Sequence, residues 1–210
     1  AGIIQTAAVD EPRFNYDPET GEFLGLFLEK ESTTYAWGTD LAQGGNIGSS
    51  MVADIVSGVS TPAGITDCRR LTPNPNSNSV WRIGSAGYDS NAFTFSAWFK
   101  TVGPDSFNIL IELNDRFAKQ FTITPEWTRI VYSGGYRNDT TTYKFVDIAG
   151  ISGTLPFYIW GSQMELCEDF DQPPTTDIPP SSYIRNSNNS LSTVTREADA
   201  FSLTTSSDFD

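Results

Sequence analysis

The 210-residue chain contains no histidine. That absence removes Ser-His-Asp and Cys-His nucleophile systems, histidine metal ligands and an imidazole pH switch. Positive charge is also scarce: 13 Lys and Arg stand against 26 Asp and Glu, a formal charge of −13. Nucleic acid is held by Lys and Arg that neutralise phosphates, so this balance argues against it as a partner. It argues equally against an anionic membrane surface. No apolar run approaches the roughly 18 residues needed to span a bilayer, so membrane insertion is not expected. Cysteine is limited to Cys68 and Cys167, too few for a disulfide scaffold. Two reduced, partly buried thiols are expected, with a Cys68–Cys167 bridge as the alternative. P-loop, GxGxxG, CxxC and GxSxG patterns are missing too.

What is present favours strands. Hydrophobic residues make up 38% and aromatics 13%, enough for the core of one sizeable domain, while only 19% of residues are charged. Ser, Thr, Asn, Gly and Pro take the place of charge and favour turns. Three zones separate by composition. In residues 1–44, Arg13 to Tyr16 and Glu22 to Glu29 flank Asp17-Pro18-Glu19-Thr20-Gly21, a turn in which Pro presets φ and Gly supplies a positive φ. This is a β-hairpin extension with Phe23, Gly25, Phe27 and Glu29 on one face and Leu24, Leu26 and Leu28 on the other. Apolar on both faces, it must dock on a core or another chain.

Residues 45–170 form the second zone. Ser57 to Ser79 reads as a long loop with at most short strands. Strand signals follow at Val80–Ile83, Ala92–Lys100, Phe107–Leu113, Lys119–Thr124, Thr128–Ser133, Thr142–Val146 and Leu155–Leu166. Turn clusters separate them, which predicts an antiparallel sandwich or barrel. Residues 171–210 are rich in Pro, Ser and Asn and predict an irregular strap, with Tyr183 and Ile184 as anchors, or a linker to a following domain. The chain starts with Ala and ends on a polar stretch without a terminating element, and reads as a segment of something longer.

Two strands suggest a binding face. Along 92–100, Phe93, Phe95, Ala97 and Phe99 point to the core, and Thr94, Ser96, Trp98 and Lys100 point away. Along 156–164, Phe157, Ile159 and Gly161 oppose Tyr158, Trp160 and Met164. A polar face bearing Trp and Tyr suits a sugar, whose C–H faces stack on rings while polar groups bind its hydroxyls. Trp98, Tyr158 and Trp160 are therefore candidate carbohydrate platforms; packing under the hairpin or the strap is the alternative. Tyr136, Arg137, Asn138 and Asp139 form a loop candidate of the same kind, against an ordinary turn. Tyr88-Asp89-Ser90-Asn91 is similar. Trp127 reads as core. Nothing in the spacing of Asp105, Glu112, Asp115 and Glu126 singles out a glycosidase pair. Asp10, Glu11, Asp17, Glu19 and Glu22 read as a solvated acidic surface rather than a Ca²⁺ site. No catalytic residue, metal or cofactor is expected.

Several blocks resemble one family. Pro12-Arg13-Phe14-Asn15-Tyr16-Asp17-Pro18-Glu19-Thr20-Gly21 with Leu24-Gly25-Leu26 resembles the PRFDYDPxTGxxLGLLIE segment of phage tail-fibre and head-fibre proteins. Phe93 to Lys100 resembles their YTFSxWxK strand, Thr124 to Arg129 their TPEWxR, and Phe157 to Glu165 their FYIWGAQLE. Ser181-Ser182-Tyr183-Ile184 and Val194 to Asp199 are similar to SSYIPT and VTRAAD. The blocks follow the family order from about residue 12 to 203. Glu31 to Gly38 departs from the family's RTNLLxYS, and Leu166 to Asp169 from its EEG. The resemblance implies a jelly-roll β-sandwich like those of carbohydrate-binding modules and concanavalin-type lectins, without catalysis. It implies a virion-exterior fibre or spike module, on tail or capsid, made in the bacterial host cytoplasm. The expected partners are other virion proteins, further copies in a homotrimer, and a host-surface glycan. The alternative is a carbohydrate-binding module of a larger polysaccharide-degrading protein, such as a tailspike depolymerase.

Overall fold

The alternation along residues 93–101 places the centre of the fold. In the computed structural model of the protein this stretch is one strand, Phe93–Thr101, with Phe93, Phe95, Ala97 and Phe99 buried in the core. The structure describes residues 13–16, 20–26, 28–29, 32–34, 50–74, 80–86, 92–113, 117–134, 143–150, 155–167, 176–181, 184, 194–196 and 198–199. Among them there is no helix. The strands are β1 (Phe14–Tyr16), β2 (Phe23–Leu26), β3 (Ser32–Thr34), β4 (Val52–Ser57), β5 (Asp67–Thr72), β6 (Val80–Ala86), β7 (Phe93–Thr101), β8 (Phe107–Leu113), β9 (Phe117–Ile123), β10 (Thr128–Gly134), β11 (Tyr143–Gly150), β12 (Phe157–Leu166) and β13 (Val194–Arg196).

Pairing runs from the ends of the ribbon inward. β5 pairs with β12, β6 with β11, β7 with β10 and β8 with β9, all antiparallel. Rolling up a ribbon paired first to last gives two sheets, ordered β10-β7-β12-β5-β4 and β6-β11-β8-β9. This is an antiparallel jelly-roll sandwich, with β4 added as an edge strand. Phe95, Phe99, Phe157 and Leu71 from the first sheet meet Ile83, Ile109, Ile111 and Ile148 from the second, all fully buried. Each such side chain contributes about 1.5–3 kcal/mol of burial.

Two expectations need correction. The stretch expected as a long loop holds β5, a six-residue strand paired along its length with β4. Its Asp67-Cys68-Arg69-Arg70 sequence shows no apolar alternation, because an arginine stem occupies an inward position. Arg69 lies over the Trp81 ring at 5.2 Å. The second correction is Met164, expected beside Tyr158 and Trp160. Trp160 pairs with Trp98 but Gln163 pairs with Ser96, so β12 spends three residues where β7 spends two. The extra residue is a β-bulge at Gly161, which has φ of 66°. It reverses the alternation and sends Met164 into the core opposite Phe95.

The N-terminal hairpin forms as β1–β2, with Gly21 at φ 72° closing its turn. The Phe23 ring lies 5.7 Å from Phe14 and 5.6 Å from Tyr16. These rings and Leu24 are 50–57% exposed, so the hairpin does not enter the core. Its base is held by ion pairs. Arg13 reaches Glu29 at 2.7 Å and also bonds Asp199, while the Glu29 amide donates to Asp199 Oδ2 at 2.8 Å. Asp199 N–H donates back to Glu29 O at 2.9 Å, and β13 pairs with β3 beside this clamp.

Candidate functional site

The outer face of the five-stranded sheet carries the sequence candidates. Register places its outward residues in rows across the strands. One row is Ser133, Thr94 and Glu165; another is Arg129, Trp98 and Trp160; a third is Lys100, Tyr158, Arg70 and Asp54.

The first row lies under other parts of the chain. Ile178 N–H donates to Ser133 Oγ at 2.7 Å, and Ser133 N–H donates to Asp177 Oδ1 at 2.9 Å. Asp177 also pairs with Lys119 at 2.7 Å, tying the strap to β9 of the other sheet. Glu165, 6% exposed, accepts from Ser181 N at 3.1 Å, from Ser181 Oγ at 2.5 Å and from Ser32 Oγ. Met164 N–H donates to Thr34 Oγ1 at 3.3 Å, so β3 also rests on β12. A cavity of about 290 Å³ remains between strap, clamp and sheet, lined by Glu29, Ser32, Glu165, Pro180 and Arg196 among others. Its carboxylates already serve as anchors for the cover.

The middle row is also covered. Trp127, the residue before β10, donates from Nε1 to Ser60 O at 2.7 Å. Ser60 follows β4, at the opposite edge of the sheet, so the β4–β5 connection reaches across the outer face. Trp160 is 1% exposed and Cys68 0%. Trp98 is half-buried, with the Trp160 ring 5.4 Å away and the Arg129 guanidinium over its own ring at 4.5 Å. Arg129 is fixed by Ser96 Oγ at 3.0 Å, Gln163 Oε1 at 3.1 Å and Ser181 O at 3.3 Å.

The third row is open except at its edge, where Ser60 meets Trp127. Tyr158 is half-buried, and the Trp127 ring lies 6.4 Å from it at an interplanar angle of 39°. Lys100 faces Tyr158 from one side and Arg70 from the other. Arg70 pairs with Asp54 at 2.8 Å, both side chains more than 40% exposed. Among the sequence candidates, Trp98, Tyr158 and Trp160 therefore share one face, at different depths. Tyr136, Arg137, Asn138 and Asp139 lie outside the described residues, as do Tyr88 to Asn91. Trp127, read as core, sits outside the core cluster and beside Tyr158.

The cysteines are separate, buried and unbridged. Burial pushes the Cys68 thiol up to about 11, with Asp67 adding to the shift, and burial also raises Cys167. Both stay protonated near neutrality, so neither is poised as a nucleophile. No group of three Cys, Asp or Glu among the described residues is placed to hold a metal.

No family model matches the chain, and no curated protein matches it. Solved structures resemble it at low identity. The CBM22-1 xylan-binding domain of a Paenibacillus barcinonensis protein is 6% identical, with a TM-score of 0.45, over 66% of this chain and 96% of that one. The C-terminal family 22 carbohydrate binding module of a Clostridium thermocellum protein is 15% identical, TM-score 0.43, over 64% and 94%. The enzymatically active domain of bacteriophage CBA120 tailspike protein 4 is 9% identical, TM-score 0.39, over 66% of this chain but 20% of that one. The jelly-roll assignment rests on the chain's own strand pairing.

Proposed function

We propose that the chain is a non-catalytic carbohydrate-binding module that contacts its glycan through the open row of the five-stranded sheet. The observation that carries this reading is the pair of half-buried rings, Tyr158 and Trp127, set 6.4 Å apart beside Lys100, Arg70 and Asp54. Rings supply stacking area and the flanking polar groups supply hydroxyl contacts. Trp98, one row inward, borders the same surface, and the buried Trp160 ring lies 5.4 Å from it in the same row. Affinity electrophoresis against a panel of soluble plant and bacterial polysaccharides tests the proposal. Tyr158→Ala should weaken binding about tenfold or more, the loss expected for a central aromatic anchor. Unchanged affinity in both Tyr158→Ala and Trp127→Ala would dismiss this surface.

A second reading places the module on the exterior of a phage virion, as part of a fibre or spike, in a homotrimer or against other virion proteins. One observation favours it: the blocks that resemble the fibre family converge in space. Arg13 meets Asp199, Arg129 meets Ser96, Gln163 and Ser181, and Glu165 meets Ser181. Residues 136–139 would then be a further contact loop for host glycan. Antibody labelling of intact virions is the check, and an unlabelled particle surface counts against it.

A further inference from the structure

The open row carries a positive charge that no described residue neutralises. Lys100 is half-buried beside Tyr158 and makes no hydrogen bond or ion pair with the described residues. The other cations with described side chains are engaged. Arg70 has Asp54, Arg82 has Asp147 at 2.5 Å, Lys119 has Asp177, and Arg13 and Arg196 share Glu29 and Asp199. Arg69 lies on Trp81, and Arg129 on Trp98 with three oxygen acceptors. In a chain of formal charge −13, acidic partners are plentiful, yet none of the described ones meets Lys100.

Resting on the carbohydrate reading above, we propose that this site selects glycans bearing an anionic group, a uronate carboxylate or a sulfate ester. The Lys100 ammonium pairs with that group while Tyr158 and Trp127 hold the neighbouring sugar faces. The geometry suits such a ligand, because a cation directly beside a stacking ring meets a charged substituent carried in the plane of the sugar. The protein's overall negative charge opposes a polyanion at long range. At physiological ionic strength the Debye length is about 8 Å, so distant carboxylates are largely screened while a contact pair is not. Locally, Asp54 is already paired with Arg70.

The test compares matched polymers on the intact chain by calorimetry: a uronate-bearing polysaccharide, its carboxyl-reduced neutral counterpart, and a sulfated polysaccharide. At least one anionic polymer should bind about fivefold more tightly than the neutral one, the effect of about 1 kcal/mol expected for one partly exposed ion pair. Whether uronate or sulfate gains identifies the group. Lys100→Met should abolish that preference with the melting temperature unchanged, and Lys100→Arg should retain it. Equal binding of neutral and anionic polymers by the natural sequence overturns the proposal and leaves the carbohydrate surface standing. A preference that survives Lys100→Met overturns it as well. Failure to bind any polymer removes both.

Discussion

The two ends of one sheet face share their strands and differ in what lies over them. At one end, Thr94, Ser133 and Glu165 receive the strap and β3, and their polar atoms are used up as anchors. At the other end, Lys100 and Tyr158 stand on the same strands, β7 and β12, with Arg70 beside them on β5, and no described strap residue bonds to them. Alternation alone makes both ends look alike, as a polar face with scattered aromatics. The cover separates a surface spent on the chain's own fold from one left accessible. A buried carboxylate that accepts from a backbone amide and two hydroxyls holds the chain's own extension. A half-buried ring between two cations is left for something else.

The largest expected break comes at the covered end. Glu165→Leu strips the acceptor from Ser181 N, Ser181 Oγ and Ser32 Oγ, and leaving such donors unpaired costs about 2–3 kcal/mol. Urea unfolding should show that loss, and a midpoint unchanged within error would mean the strap is not fastened there. The clamp gives a second, pH-dependent break. The Glu29 N–H bond, and after it Arg13 and Arg196, hold the Asp199 carboxyl below its ordinary value. A depressed folded-state pKa stabilises fully above the unfolded value of about 3.9 and is lost as pH falls through the folded one. Proteolysis in acid should therefore cut the hairpin and β13 before the sandwich opens. An Asp199 carboxyl that titrates in the ordinary range by NMR would contradict the clamp. The smallest effect belongs to the open end. Asp54→Asn removes an exposed ion pair to Arg70 and should leave the urea-unfolding midpoint all but unchanged. A larger loss would show that the open row also has a structural duty.

Much of the sandwich was legible because its inward positions carry large apolar residues at period two. Phe107–Leu113 appears in the structure with the bounds expected, and the neighbouring strands differ by a few residues at their ends. β5 was hidden because Arg69 fills an inward place with its stem. Met164 was assigned to the wrong face because counting by twos cannot see an inserted residue, although Gly161 marks the spot. The platform triad was legible as a shared face. The ranking within it was not, since the burial of Trp160 depends on contacts from far along the chain. Trp127 was missed for the same reason: its bond to Ser60 and its nearness to Tyr158 are both long-range.

The inward pairing order also governs when the fold can come into being. β12 sits between β7 and β5 in the five-stranded sheet, yet it is the last of the sandwich strands to be synthesised. Until it arrives, β5 and β7 have no shared neighbour and the core lacks Phe157, Ile159 and Met164. Pairing across such long stretches of chain is slow, on the order of milliseconds to seconds for sheets of this kind. A nascent chain that stops short of Phe157 therefore lacks the strand that joins β5 to β7, and the five-stranded sheet cannot close before that segment is made.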